Sequence, residues 1–166
     1  MVHVSRSFTV NRPLPDVVAY LADFGHAVDW DPGTQECVRT AGQGAPVEGA
    51  RWRNVSVFRG RRTELDYTLD RREERRVTFT GVNKTAHSTD DFVFETSGGG
   101  TRVTYSATVR FQGLARLADP FLRKEFERLG DEVTRTLPQA AHTAIPAGQG
   151  DGVGESGQGG AAPFDA

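Results

Sequence analysis

The feature that most constrains this sequence is a twofold alternation of apolar and polar residues between positions 34 and 111. In residues 64–70, apolar side chains occupy every second position, and acidic or hydroxyl side chains occupy the positions between them. The same alternation recurs in residues 76–80 and 102–109. Because successive side chains of a β-strand point to opposite faces, the pattern predicts antiparallel sheet with one buried face and one solvated face.

Turn-forming residues separate the alternating stretches. Glycine occurs at 60 and again at 98–100, Asn-Lys occupies 83–84, and a charged run occupies 72–74. Short connections of this kind join neighbouring antiparallel strands as hairpins. The region is therefore predicted to form a six-stranded meander.

Helical periodicity replaces the alternation before this region. A first strand over residues 2–10 should end at the prolines of segment 11–15, because proline has no amide donor for sheet pairing. Apolar residues spaced over 17–24 then predict a short amphipathic helix. Residues 25–32 are predicted to form a second short helix or an irregular turn.

A long helix is predicted after the meander. Asp119 is placed to cap it, and Pro120 occupies the first helical position, where a missing amide donor costs nothing. The apolar stripe of this helix extends over residues 121–137. Charged residues replace apolar ones along one edge of the stripe, so the buried face of the helix is predicted to narrow toward the C-terminal half.

One domain is expected, because 166 residues can form one genuine core but not two ordinary ones. The predicted domain comprises residues 1–142. Residues 143–166 are rich in glycine and carry too few apolar side chains to offset the entropy of ordering them, so they are predicted to be a disordered tail.

Charge and composition narrow the expected partners and location. Lys and Arg total 20, Asp and Glu total 22, and the formal net charge is -2, so no binding to nucleic acid is expected. No stretch approaches the roughly 18 apolar residues of a membrane-spanning helix, so no membrane insertion is expected. The single Cys37 cannot close an intrachain disulfide, and residues 1–10 lack a basic segment followed by an apolar run. Together these features predict a soluble, cytoplasmic protein.

Several segments carry a resemblance to a known family. Residues 7–13, the triplet Trp30-Asp31-Pro32 and the strand at residues 100–105 resemble, in the same order, the START-like helix-grip superfamily (SRPBCC), and in particular its polyketide cyclase/dehydratase-like family. The resemblance covers nearly the whole predicted domain. It implies an α+β helix-grip fold, in which a curved antiparallel meander wraps around a long C-terminal helix and two short helices follow the first strand.

The resemblance also implies a cavity between the sheet and the C-terminal helix, which would accept a small hydrophobic molecule of aromatic, polyketide or lipid-like character. For any single apolar residue, simple core packing is the alternative interpretation. The residues expected to bind the ligand are Trp30, Trp52, Leu65, Tyr67, Phe79, Phe92, Phe94, Tyr105, Val109 and Phe121.

An enzymatic function is the alternative to simple binding. Tyr67 and Tyr105 lie on apolar faces and carry hydroxyls that must find partners if they are buried, which makes them the candidate catalytic residues for polarising a carbonyl. The resemblance implies that such an enzyme would be a polyketide cyclase or dehydratase without a cofactor. A third hypothesis is a protein-interaction module with a filled core.

The remaining polar clusters give weaker indications. His26, Asp29 and Asp31 are close in sequence, but one histidine with two carboxylates is a weak metal-ligand set, so a solvated turn is expected and no metal is predicted. Alternation places His87 on the face opposite Asp90. If Asp90 points inward, its buried carboxylate needs a partner or a functional reason.

Overall fold

The computed structural model describes residues 1–58, 60–113 and 119–147, without the side chains of Phe58 and residues 119–121. The predicted tail therefore lies outside the described residues from position 148 onward. In chain order, the elements are β1 (Val2–Val10), α1 (Leu14–Ala22), a 3-10 turn (Phe24–His26), α2 (Ala27–Trp30), β2 (Thr34–Ala41), β3 (Arg51–Phe58), β4 (Arg61–Glu73), β5 (Arg76–Val82), β6 (Ala86–Ser97), β7 (Gly100–Phe111) and α3 (Asp119–Ala144).

The described strands form one antiparallel sheet in the order β1-β7-β6-β5-β4-β3-β2. Strands β2 to β7 are joined sequentially, so the predicted meander is confirmed. Strand β1 pairs with β7, which brings the N-terminal strand beside the last one. With two short helices after β1 and a long terminal helix, the predicted α+β helix-grip architecture is confirmed.

One carboxylate links the short helices to the sheet by hydrogen bonds. Asp23 follows α1, and its Oδ1 accepts a hydrogen bond from the amide of Gly25 at 3.0 Å. The same oxygen accepts a second bond from Trp52 Nε1 at 3.0 Å. Asp23 therefore caps the 3-10 turn and at the same time connects it to strand β3.

The described part of α3 has two halves that differ in burial. Its C-terminal half is packed into the core through Val133, Leu137 and Ala141, whereas Leu122 and Leu129 in its N-terminal half are only partly buried. The prediction that the buried face narrows toward the C-terminal half is thus wrong. The reason is that the N-terminal half covers a space in the structure, while the C-terminal half packs against filled core.

Polar and steric contacts fix α3 along strand β1. Arg6 donates to Glu127 at 2.6 Å and to Asp131 at 2.7 Å. Gly130 faces Val4 so closely that a β-carbon at this position would clash with the valine side chain. A glycine in the middle of a helix is therefore tolerated because it allows close packing, despite its low helix propensity.

The helix continues beyond the predicted domain boundary at residue 142. It ends at Ala144, and the adjacent Ile145 is buried against the core. The carbonyl oxygen of Ile145 accepts a 2.6 Å hydrogen bond from Arg12. Among the described helices, none has the length and apolar character needed to cross a membrane.

Candidate functional site

A cavity of about 190 Å³ lies between the sheet and the N-terminal half of α3. It exists because the strands carry small inward residues at this end, such as Ala86, Ser88 and Ala107, and large ones at the other end, such as Phe92 and Phe94. Described residues that line the cavity are Val4, Asp31, Gly33, Ser56, Val57, Thr63, Leu65, Tyr67, Ala86, Ser88, Asp90, Tyr105, Ala107, Val109, Phe111, Leu122, Phe126, Leu129, Gly130 and Val133.

Tyr67 is oriented by two neighbours in the fold. Its ring stacks on Phe24 with 4.1 Å between centroids and an interplanar angle of 27°. On the adjacent strand, the β-carbon of any residue other than glycine at position 81 would lie 2.6 Å from the Tyr67 ring. Gly81 therefore leaves the space that the ring occupies, and the phenol hydroxyl is directed toward Ser88 and Asp90.

Tyr105 reaches the same point from strand β7. Its ring stacks on Phe92 with 4.8 Å between centroids, and its hydroxyl donates to Asp90 Oδ1 at 2.6 Å. Burial raises the pKa of Tyr105, and the adjacent Asp90 charge raises it further. The phenol therefore keeps its proton and acts as a donor.

Asp90 is the centre of this polar group. Its side chain is 5% exposed, and its second oxygen accepts a 3.0 Å hydrogen bond from Ser88. Burial raises the pKa of Asp90, the bonds from Tyr105 and Ser88 lower it, and the net shift is upward. A carboxyl whose titration moves toward neutral pH can accept and return a proton, which is the requirement for general acid–base chemistry.

Asp31 supplies a second carboxyl to the cavity wall. Its oxygens accept bonds from the Gly33 amide at 3.1 Å and from the Thr34 hydroxyl at 2.6 Å. Burial raises its pKa. The expectation of a solvated turn at this position is wrong, because the chain after α2 passes under α3 and places the carboxyl in the cavity.

A chain of hydrogen bonds supports Asp31 from the sheet. Asn54 is buried on β3 and donates to the Thr34 hydroxyl at 2.9 Å. Ser56, which lines the cavity, donates to Asn54 at 2.7 Å. The orientation of the Asp31 carboxyl is therefore fixed by residues of two strands.

The predicted ligand-binding residues fall into two groups. Of the ten, Leu65, Tyr67, Tyr105 and Val109 line the cavity. The larger aromatics do not line it, because they fill the part of the concave face beneath the short helices and the C-terminal half of α3. These core residues are Trp30, Trp52, Phe79, Phe92 and Phe94. The side chain of Phe121 lies outside the described residues.

Sequence reasoning treated Asp90 only as a conditional candidate, and it did not identify Ser88 as part of the site. Alternation does place both residues on the inward face of β6. Phe92 and Phe94 identify the inward face of β6. Polar residues on that same face were therefore the signal that could have revealed Ser88 and Asp90 as site residues. Asp31 carried no such signal, because its position depends on the path of an irregular turn.

The weaker candidates remain apart from the cavity. His26 Nδ1 lies 3.7 Å from Asp29, and both are substantially exposed. His87 is on the outer face of β6, as alternation predicts. Across the part of the chain that the structure describes, no group of three or more His, Cys, Asp or Glu side chains is placed to hold a metal ion.

An antiparallel sheet that encloses a cavity with a long C-terminal helix defines the helix-grip fold. The sequence profile of one family within it, described as polyketide cyclase/dehydrase and lipid transport, matches residues 1–142. The chain belongs to this family. No curated protein matches it significantly by sequence.

Solved structures give the same fold. TTHA0849 from Thermus thermophilus superposes with a TM-score of 0.71 at 18% identity, over 87% of this chain and 99% of that chain. A START superfamily protein from Mycobacterium smegmatis gives 0.70 at 13% identity, over 86% and 99%. The Zhui aromatase/cyclase from Streptomyces sp. R1128 gives 0.64 at 15% identity, over 84% and 90%. At these identities the likeness establishes the fold.

Proposed function

We propose that the protein binds a small hydrophobic molecule in the cavity between the sheet and α3. The observation that carries this proposal is an unfilled space of about 190 Å³ with mainly apolar walls and a hydrogen-bonded polar group at one end. Apolar walls provide affinity through burial, and a few fixed polar groups orient the ligand. Membership of the family supports the same role.

The volume limits the size of the ligand. Sites for drug-sized ligands are typically about 300 Å³ or more, whereas an apolar cavity of about 150 Å³ accommodates benzene. A space of about 190 Å³ therefore suits one aromatic ring with a short substituent. A longer polyketide or lipid chain would exceed this volume.

Filling the cavity should abolish binding. Ala107 lines the space, so Ala107→Leu would occupy the volume that a ligand needs. We expect benzene, toluene or indole to raise the melting temperature of the native protein and to have no effect on the variant, as measured by thermal unfolding and by ligand-induced NMR shifts. Ala41→Leu makes the same change at an exposed position of β2 and should leave binding intact. Failure of every uncharged aromatic to bind the native protein would contradict the proposal.

An enzyme is the second candidate function, and the Asp90–Tyr105 hydrogen bond of 2.6 Å favours it. In a cyclase or dehydratase reaction of a polyketone, the Tyr105 and Tyr67 hydroxyls would turn from Asp90 to donate to a carbonyl oxygen of the substrate, while Asp90 takes the proton from the adjacent carbon. The cavity would hold the reacting segment in a bent conformation. This sequence of steps needs no cofactor.

Removing both hydroxyls tests the enzymatic hypothesis. We expect Tyr67→Phe combined with Tyr105→Phe to lower the rate of ring formation from a short β-polyketone thioester by about 100-fold or more. Circular dichroism should show that the variant folds, at a cost of about 1–3 kcal/mol for the lost donors to Asp90. Tyr20→Phe is the matched control, since the buried Tyr20 hydroxyl has no partner among the described residues and lies outside the cavity. Unchanged turnover in the double variant would reject the assignment.

A further inference from the structure

The polar end of the cavity carries two carboxyls that come from separate parts of the chain. Asp31 follows α2, and Asp90 lies on β6. Each accepts two hydrogen bonds from uncharged donors, namely a backbone amide, hydroxyl groups of serine and threonine, and the Tyr105 phenol. Carboxyl oxygens together offer about four acceptor positions, so each group keeps acceptor capacity toward the cavity.

The carboxyls face a cavity wall whose described residues carry no positive charge. None of the described residues that line the cavity is Arg, Lys or His. Arg6 lies nearby on β1, but its guanidinium is bound to Glu127 and Asp131 at the outer edge of α3. Arg76 is bound to Asp91 on the opposite face of the sheet. Ionised carboxyls without a counter-charge in a mainly apolar space are costly, and the cost is relieved when they are protonated or when a cationic ligand pairs with them.

We propose that the cavity selects its ligand by charge: it accepts a single-ring aromatic molecule that bears a protonated amine, and it excludes the carboxylate of the same shape. The inference rests on the proposed binding function and specifies the ligand class. The apolar wall formed by Leu65, Ala107 and Val109 covers the ring, and the ammonium group faces Asp31 and Asp90. A ligand carboxylate would instead place a third acidic group beside these two.

Charge selection makes the affinity for the amine depend on pH. The groups that face Asp90 are Tyr105, Tyr67 and Asp31, and Glu132 on α3 acts on Asp31. None of these groups supplies a positive charge. Burial raises the pKa of both carboxyls, so they become protonated as pH falls toward the acidic range. Amine affinity should then fall with pH, whereas the affinity for an uncharged alcohol of the same shape should stay constant.

Three probes of matched shape test the proposal on the full chain: phenethylamine, phenethyl alcohol and phenylacetate. We expect calorimetric titration near neutral pH to give about tenfold tighter binding of the amine than of the alcohol, which corresponds to about 1.4 kcal/mol. Phenylacetate should show no binding. At acidic pH, where the carboxyls are partly protonated before binding, amine binding should release protons, as measured by calorimetry in buffers of different ionisation enthalpy.

Matched variants separate ion pairing from general apolar binding. Asp31→Asn keeps an acceptor oxygen for the turn and should remove the tenfold preference for the amine without changing alcohol affinity. Asp91→Asn makes the same change on the outer face, beside Arg76, and should alter neither affinity. Melting curves establish that both variants fold.

The outcomes distinguish the two proposals. If amine and alcohol bind equally well, or if phenylacetate binds best, charge selection is overturned while the cavity is still a binding site. If none of the three probes binds and no uncharged aromatic responds to Ala107→Leu, both proposals are overturned. Loss of the amine preference in Asp31→Asn, with the preference retained in Asp91→Asn, supports charge selection.

Discussion

Replacing Trp52 by alanine should lower the free energy of unfolding by about 3–5 kcal/mol, the range found when a large buried aromatic is truncated. Trp52 is 0% exposed, and its ring meets Phe79 edge to face with 5.7 Å between centroids. Alanine would leave a void beneath the short helices that rigid strands cannot close. Domains of this size are typically stable by about 5–15 kcal/mol, so much of the total would be lost.

Chemical denaturation measures this loss, and Trp52→Phe separates packing from hydrogen bonding. Phenylalanine keeps most of the ring but removes the Nε1 donor to Asp23, so we expect it to cost about 1–2 kcal/mol. A loss below about 1 kcal/mol for Trp52→Ala would contradict the structural role. Trp52 is a structural residue in the described fold, although it was predicted to bind the ligand.

The architecture could be predicted because its signals are local. Alternation in residues 76–80 and 102–109 predicts which side chains face inward, and the turn at 98–100 predicts the hairpin between β6 and β7. Each of these features depends on a few consecutive residues. The order of strands then follows from short connections between sequential neighbours.

The position of the cavity could not be predicted in the same way. Alternation places Phe79 and Tyr105 alike on the inward face, but it does not specify which part of α3 or of the short helices covers each residue. In the structure, Phe79 packs with Phe24 under the short helices, while Tyr105 borders the cavity. Small inward residues of the strands mark the cavity, since Ala86 and Ala107 leave space that larger side chains would fill.

The two carboxyls of the polar site differ in how far their positions could be predicted from the sequence: Asp90 in part, and Asp31 not at all. Tyr105 and Asp90 are diagonal neighbours on β7 and β6, because the register pairs Asp90 with Ala107 and Phe92 with Tyr105. Two inward polar residues offset by two positions on adjacent strands could have been matched in this way. Asp31 enters the same cavity from an irregular turn, whose path is set by tertiary packing. Local pattern therefore predicts strand-borne site residues better than loop-borne ones.

Replacing Asp90 by asparagine should raise the stability of the protein at neutral pH. Burial raises the pKa of Asp90 in the folded state above its ordinary value of about 3.9. At pH values between the ordinary and the raised pKa, the folded state holds a proton that the unfolded state has released. Stability consequently falls as pH rises through this window. Asparagine cannot ionise, so it should recover about 1.4 kcal/mol for each unit by which the pKa is raised.

The hydrogen bonds of the site can be kept in the Asp90→Asn variant. The asparagine oxygen can accept from Tyr105, and the asparagine amide can donate to the Ser88 hydroxyl, which rotates to accept. At pH values well below about 3.9, where Asp90 is protonated in both the folded and the unfolded state, the native protein and the variant should have similar stability. Thermal and denaturant unfolding at several pH values measures the difference.

Asp91→Asn provides the control at the adjacent position. Asp91 accepts from Arg76 at 2.9 and 3.2 Å and from Thr78 at 2.7 Å on the outer face. Because the Arg76 side chain is 46% exposed and the pair lies at the solvated face, its loss should cost only about 0.5–1 kcal/mol. The two substitutions are thus expected to change stability in opposite directions at neutral pH.

The sign of the Asp90→Asn effect distinguishes a structural carboxyl from a functional one. Replacing a residue that is retained for stability destabilises the protein. Replacing a functional carboxyl that is held in an unfavourable environment stabilises the protein and removes the function. We therefore expect the stabilised variant to lose its preference for the amine probe, together with any turnover of the polyketone. Destabilisation by more than about 1 kcal/mol at neutral pH would instead make the Asp90–Tyr105 pair a structural link between β6 and β7.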